Sequence, residues 1–329
     1  MDLKRLSGKH KNNKIAYYFK NYWSYFVANK LHKFSLDKKL KQLDKLDKEY
    51  VFKRVNYYYQ LDKNHEVSRN SLPLNSIPLK KGGKTYFFDF LEHHKYFSKN
   101  FKVDYLFGDI THTPNYPTLL KSRPVSAENK NSILMKWNKI RHFLFIKKHP
   151  KKYLDKQDLL VWRGKVHPSQ PHRIKFVQKF IDHPLCNIGK VNNNQLDSSW
   201  VKPRMTIEEQ LDYKFIMSIE GNDVASNLKW VMSSNSIAVM PKPKFETWFM
   251  EGSLLPDYHY IAVKDDFSDL EEKLNFYLQH PQKAQSIINN ANQYVKQFQN
   301  QEREDIISLL ILEKYFSKTQ QKKSNYLSN

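Results

Sequence analysis

The chain has 329 residues, 40% hydrophobic and 14% aromatic, enough for one large or two medium domains and too varied for a low-complexity or collagen-like protein. Lys and Arg number 55 against 33 Asp and Glu, and the net charge of +22 favours anionic partners: nucleic acid, an anionic membrane or phosphorylated substrates. The single cysteine, Cys186, excludes an intrachain disulfide, no run approaches the ~18 consecutive apolar residues of a membrane span, and the basic N-terminus lacks the apolar stretch of a signal peptide, so the expectation is a cytoplasmic protein.

Residues 1–50 read as a basic aromatic helical segment. Tyr18, Tyr22, Tyr25 and Phe26 fall at helical spacing, with Phe19 and Trp23 beside them and Lys14, Lys20, Lys30 and Lys33 around them. Such a helix can lie on an anionic membrane surface or pack onto the rest of the protein; packing is the simpler reading, and both stay open. A second helix is expected over 35–50, with Leu36, Leu40, Leu43 and Leu46 on one side. Residues 72–84 carry Pro73, Pro78, Gly82 and Gly83 and read as a loop. Strands are expected over 85–90 (TYFFDF), 103–107, 132–135 and 142–146, which makes 51–150 a first α/β domain. A linker is expected at 149–152.

The second domain, 151–300, opens with a strand over 159–162 that ends at Arg163-Gly164, followed by a helix over Pro171–Phe180. The apolar run from Lys214 ends in Glu220-Gly221, the turn Asp223-Val224-Ala225-Ser226 opens a helix, and a further strand covers 236–240. Ser268 and Glu271 form the pattern of a capping box ahead of Leu270, Leu274 and Leu278. Pro281 suits the first turn of another helix, and 301–329 supplies a last helix, over 306–316, and a tail. Strands alternating with helices in two halves predict an α/β protein with two Rossmann-like domains.

The βαβ unit at 214–240 places polar groups at the C-terminal end of a strand, where open α/β sheets bind ligands. A helix N-terminus there suits a phosphate, which points to a nucleotide. The usual signatures are missing: there is no G-x-G-x-x-G, no P-loop, no nucleophile elbow, no zinc spacing and no Asp-x-Asp pair. A nucleotide-diphosphate enzyme without that pair needs fixed cations in place of a metal. Arg163, with Gly164 beside it and Arg173 one helical stretch later, can fork onto a diphosphate. Asp109, after Gly108, is either a general base at a strand end or the cap of a turn. Lys121, Arg123, Arg141 and His142 line a cleft or sit on the surface. Glu246 is a candidate for sugar hydroxyls, while Trp248 and Tyr260 read as core.

Taken together, Trp162-Arg163-Gly164, the stretch from Glu220 through Trp230, that from Leu255 through Lys264, and Asp266-Phe267-Ser268-Asp269-Leu270-Glu271 resemble glycosyltransferase family 90. The family includes protein O-glucosyltransferases and bacterial lipopolysaccharide core transferases. Gly108-Asp109 and Lys121-Ser122-Arg123-Pro124 resemble the bacterial lipopolysaccharide branch, and the resemblance covers roughly 103–295. It implies a GT-B fold, two facing Rossmann-like domains with the active site between them. It also implies inverting, metal-independent transfer of a hexose from a UDP-sugar to a hydroxyl of a lipopolysaccharide or lipooligosaccharide core, with no further cofactor. By position, Asp109 matches the catalytic base and Arg163 and Gly164 the diphosphate motif. Glu220, Gly221, Asp223, Ala225, Ser226, Asn227 and Lys229 fall in the stretch matching the nucleotide loop and helix start. Many relatives carry Arg where this chain has Asn227, so Lys229 or Arg173 is expected to supply that charge. The basic surface then implies peripheral attachment to the inner face of the cytoplasmic membrane. No nucleic-acid partner is expected, because helix-turn-helix, zinc and RNA-recognition signatures are missing. The alternatives are a protein O-glycosyltransferase, which works in an oxidising lumen, and a non-catalytic basic binding protein.

Overall fold

The computed structural model describes residues 12–30, 35–79, 83–147, 151–324 and 326, with backbone only for 27–30. Lys33, Gly82, His149, Pro150 and the side chain of Lys30, all used above, lie outside the described residues, as do 1–11. The chain divides into two units. One comprises Asn13–Ile140, Phe245–Met250 and Phe298–Asn329; the other consists chiefly of Arg141–Lys244 and Glu251–Gln297.

The first unit begins with helix α1 (Lys14–Lys30). Its start is capped by Asn13, whose side-chain oxygen accepts from the Ala16 amide at 3.0 Å. The helix expected over 35–50 is broken in two. α2 (Leu36–Leu40) runs into a 3-10 turn, Leu46 is extended, and Asp47 caps α3 (Lys48–Tyr58) by accepting from the Tyr50 amide at 3.0 Å. A residue that caps one helix cannot continue another, and Asp47 decides the boundary. After the short β1 (Leu72–Pro73) comes the main departure from the sequence reading: TYFFDF lies in helix α4 (Lys84–His94), not in a strand. Tyr86, Phe87, Phe88, Asp89, Phe90 and Leu91 are all buried, and a segment apolar all round carries no period that separates helix from strand. The strand expected over 103–107 is two pieces, β2 (Lys102–Val103) and β3 (Tyr105–Leu106). β4 (Thr118–Leu120), β5 (Ser122–Pro124) and β6 (Ser132–Leu134) follow, and β3, β4 and β6 form a parallel sheet. The strand expected over 142–146 is not formed. α5 (Lys139–His142) occupies its start, behind Asn138 in the left-handed region, φ 57°.

The second unit is regular. β7 (Gln157–Gly164), α6 (Pro171–Phe180), β8 (Cys186–Lys190), α7 (Ile207–Gln210), β9 (Tyr213–Met217), α8 (Leu228–Met232) and β10 (Ile237–Met240) follow in order. β11 (Phe245–Thr247) returns to the first unit, where it pairs with β5. Then come β12 (Ile261–Ala262), α9 (Leu270–Gln279) and α10 (Pro281–Lys296), and α11 (Gln301–Lys318) returns to the first unit. The expected capping box at Ser268 is absent. Asp269 makes no side-chain cap bond and accepts instead from the Lys264 amide at 2.9 Å. A reciprocal box forms at α7, between Thr206 and Glu209.

The sheet of the second unit has the order β12-β10-β9-β7-β8, with every pairing parallel. β9 and β10 are buried at every residue, as strands covered on both faces must be, which is why they read as continuous apolar runs. Leu160, Trp162, Phe176, Phe215, Val239, Ile261 and Leu274 belong to one core cluster. Burial in this unit pushes the Cys186 thiol up to about 12, in keeping with a structural cysteine. From β7 the chain steps to β8 on one side and then crosses to β9 on the other. The strand order therefore reverses between β7 and β9, and in open α/β sheets the ligand crevice lies at that reversal, beyond the strands' C-terminal ends.

Candidate active site

Three segments meet at the reversal: the end of β7, the end of β9 and the start of α6. Arg173, from α6, joins them. Its Nη1 donates to the Lys165 carbonyl after β7 at 2.7 Å. Its Nε and Nη2 donate to the Glu220 and Ile219 carbonyls after β9 at 2.7 and 3.0 Å. The guanidinium carbon stands 5.6 Å from the Trp162 ring centroid, and Gly221 lies against it. Burial, then repulsion from Arg141, brings the Arg173 guanidinium down to about 10, still a cation at neutral pH. His172 adds a second group: Nε2 donates to the Glu220 carbonyl at 2.9 Å, and burial lowers its pKa below the ordinary imidazole value. Gln170 donates to the Asn222 side chain at 3.1 Å, and the Glu220 carboxylate accepts from the Lys244 amide at 3.0 Å. The arrangement is a polar rim in which one cation, the Arg173 guanidinium, and the His172 imidazole are set on backbone carbonyls, suited to an anion.

Arg163 is placed differently. Its Nε donates to the Pro203 carbonyl at 3.0 Å, Nη1 to the Trp162 and Asn187 carbonyls at 3.0 and 2.8 Å, and Nη2 to the Asn187 side chain at 2.7 Å. Most of its donors are thus committed to β8 and the 203 loop, and none of these partners is shared with Arg173. Gly164 has a structural duty as well: a Cβ there would stand 2.3 Å from the Trp162 ring.

The helix start is modest. α8 has five residues, Asn227 at its N-cap makes no side-chain cap bond, and the Asn227 side chain donates to the Met217 carbonyl at 2.9 Å. Ser226 is exposed, while Asp223 and Ala225 are buried. Lys229 is fully buried, with its ammonium 2.5 Å from the Glu251 carboxylate. Of the two residues expected to replace the charge missing at Asn227, Arg173 is at the strand ends, and Lys229 is turned inward onto Glu251. Glu251 and His172 were not anticipated. Nothing in their spacing marks the first, whereas the second sits beside Arg173 on α6 and was within reach of the sequence.

In the first unit, Gly108 has φ 130°, a conformation L side chains rarely adopt, and it turns the chain into Asp109. Asp109, about one-third exposed, accepts from the buried Lys121 ammonium at 2.5 Å. The Ile110 amide donates to Ser122 Oγ at 3.3 Å, tying the same loop to β5. Arg123 and Glu246 are not surface groups of a cleft. β5 and β11 pair so that the two residues stand opposite each other; both are buried, with Arg123 Nε 2.7 Å from Glu246 Oε1. The other carboxylate oxygen of Glu246 accepts from the Tyr57 hydroxyl. The remaining Arg123 donors go to the Tyr57 and Ser132 carbonyls at 2.9 and 3.0 Å. This is a cross-strand ion pair holding β11 in place. His142 is buried as well, and Arg141 is exposed. Trp248, stacked on Tyr58 at 4.1 Å, and Tyr260 are core, as expected.

Among the described residues, no group of three or more His, Cys, Asp or Glu side chains is arranged to hold a metal ion, and no helix is long and apolar enough to cross a membrane.

Comparison with known proteins bears on this geometry. Glycosyl transferase family 90 matches residues 95–326, a stretch that includes Asp109 and the whole β7–β9 rim. "O-glucosyltransferase LpsA" of Dichelobacter nodosus is 40% identical over 265 residues, which cover 80% of this chain and 82% of that protein. "Uncharacterized protein 179R" of Invertebrate iridescent virus 6 is 31% identical over 117 residues, 33% of this chain and 10% of its own length. The family match takes in well over half of the chain and the relative aligns over most of both lengths, so the chain belongs to glycosyltransferase family 90 and is a glycosyltransferase.

Proposed function

We propose that the protein transfers a hexose, with inversion and without a metal, from a UDP-sugar to a hydroxyl of a lipopolysaccharide or lipooligosaccharide core. The observation that carries the reading is Arg173 at the strand-order reversal, a cation held by three backbone carbonyls where open α/β sheets take their ligands. The relative's name, O-glucosyltransferase, favours glucose as the sugar. In the proposed step Asp109 takes the proton of the acceptor hydroxyl. That oxygen bonds to the anomeric carbon from the face opposite the nucleotide as the bond to the diphosphate oxygen breaks, and UDP leaves with the bonding pair. The transition state is oxocarbenium-like, as in glycoside hydrolysis. Lys121 fixes the orientation of the Asp109 carboxylate, and Arg173 opposes the charge growing on the diphosphate. The acceptor class and the net charge of +22 support action at the inner face of the cytoplasmic membrane, on its surface.

Thermal unfolding in the presence of UDP, GDP and CMP and their sugars, with and without EDTA, tests the reading. UDP and UDP-glucose should raise the midpoint, and EDTA should leave the shift unchanged. A protein that no nucleotide stabilises would sink the donor assignment, and a shift abolished by EDTA would sink the metal-free mechanism.

A further inference from the structure

Helix α1 has two unlike faces. One is docked within its unit. Tyr18 and Tyr22 meet the Phe88 ring edge-on at 6.3 and 4.9 Å, Tyr25 meets Phe87 at 5.7 Å, and the Tyr17 hydroxyl donates to the Asp89 carboxylate at 2.7 Å. The other face is bare. Ile15, Phe19, Trp23 and Phe26 are 83, 73, 67 and 64% exposed, four of the five most exposed large apolar side chains among the described residues. At about 100° per residue the four share an arc of roughly 80° of the helix surface. Scattered exposed apolar residues are ordinary, whereas a contiguous stripe on one element is an interaction surface.

We propose that this outward face of α1 is a membrane-insertion surface, which enters the headgroup–acyl boundary of an anionic bilayer while the tyrosine face stays docked on α4. The charge pattern selects the partner. α1 contains three lysines and no acidic residue. Lys14 and Lys20 are exposed beside the stripe, and Lys84 stands 5.7 Å from the Tyr22 ring centroid. Aromatic and apolar side chains on one face with lysines at its border are the composition of helices that lie in the interface plane. No helix among the described residues is long and apolar enough to cross, so α1 lies on the bilayer and does not span it. Docking through Tyr17, Tyr18, Tyr22 and Tyr25 fixes which face is offered, so the surface is built before a membrane is met. The inference rests on the transferase reading only for the presence of a membrane-borne acceptor.

The test is sedimentation of the full chain with phosphatidylglycerol/phosphatidylethanolamine vesicles and with phosphatidylcholine vesicles. The wild type is compared with F19S/W23S/F26S, whose three positions are exposed. UDP-glucose stabilisation and oligomeric mass are measured in parallel. The wild type should bind anionic vesicles, more weakly as salt rises. The triple variant should lose at least roughly tenfold in partitioning, about 1.4 kcal/mol, with its UDP-glucose stabilisation intact. Vesicle-dependent blue-shifted emission should vanish in W23F while that variant still binds. A triple variant that sediments like the wild type overturns the proposal. So does a wild type that ignores vesicles and forms a dimer which the triple variant abolishes. Vesicle binding through this face with no response to any UDP-sugar would sink the donor reading and leave this one standing. A UDP-glucose response without vesicle binding would do the reverse.

Discussion

The rim of the parallel sheet and the loop around Asp109 show two ways of placing charge. At the rim, Arg173 and the His172 imidazole are set on backbone carbonyls just past the end of β9, which the parallel β7–β9 pairing carries, with a register shift only between Gln157 and Leu160. Around Asp109 the strands are two or three residues long, and the scaffold is held by buried ion pairs. Lys121 reaches Asp109, and Arg123 meets Glu246. In the same unit Glu304 is ion-paired with Arg54 and Lys136 at 3.2 and 3.4 Å and accepts from the Trp248 indole. A regular sheet can position a cation through its own backbone. A unit of short strands and aromatic helices is held in addition by internal charge pairs.

The largest test of that contrast is Asp109→Asn. On the proposed mechanism it should cut transfer by about 10²–10⁴-fold with UDP binding intact, and it should also lower the unfolding midpoint, because the buried Lys121 ammonium loses the Asp109 charge. A fully active variant would remove Asp109 from the mechanism. The buried pair of the second unit comes next. Glu251→Gln strands the Lys229 ammonium inside the protein and should cost about 3–5 kcal/mol of stability, read by denaturant unfolding. The double change Lys229→Met with Glu251→Gln should recover much of that loss. If the single variant costs nothing, the pair is not the support described.

A third test concerns acid. Burial pushes His94 down to about 3, and its Nε2 finds no hydrogen-bond partner. The folded state therefore binds a proton there more weakly than the unfolded chain. The His94 contribution is full above about pH 6.5 and is lost as pH falls toward 3, at up to about 1.4 kcal/mol per pH unit. His65, His172 and His259 are lowered too and act with the same sign. His94→Phe, with a ring suited to the Phe90 contact at 4.7 Å, should flatten the fall of the unfolding midpoint between pH 6 and 4. An unchanged pH profile would place the acid sensitivity elsewhere. The smallest effect is expected of Gly164→Ala, about 1–3 kcal/mol, from the clash with Trp162. A stability loss without a change in UDP affinity would show that this glycine serves the core, and a selective loss of UDP affinity would give it to the ligand.

The second unit was largely legible. The runs that became β7, β9 and β10 are apolar because parallel strands are covered on both faces, and Pro171 marks the start of α6 as the sequence predicts. The first unit was not. TYFFDF is buried all round, and composition cannot choose its period. The break at Asp47 follows from a single cap, which a leucine stripe running from Leu36 to Leu46 conceals. In the candidate site, the place of Arg173 beside the strand ends was legible from its neighbours. The inward turn of Lys229 was not, because its partner lies 22 residues on, beyond the β11 excursion to the other unit.

By itself the sequence determined the alternation that makes the second half an α/β unit, the polar strand ends at Gly164 and Gly221, and a set of motifs sufficient for the family. These are local facts, written in periods of a few residues and in the glycines that turns demand. Tertiary structure alone decided which charges face each other, since Arg123 and Glu246 are 123 residues apart and meet only because β5 and β11 pair. It decided, too, which side of α1 is left bare. A helix of aromatic residues offers several equivalent stripes, and Phe87, Phe88 and Asp89 of α4 select one of them for the interior.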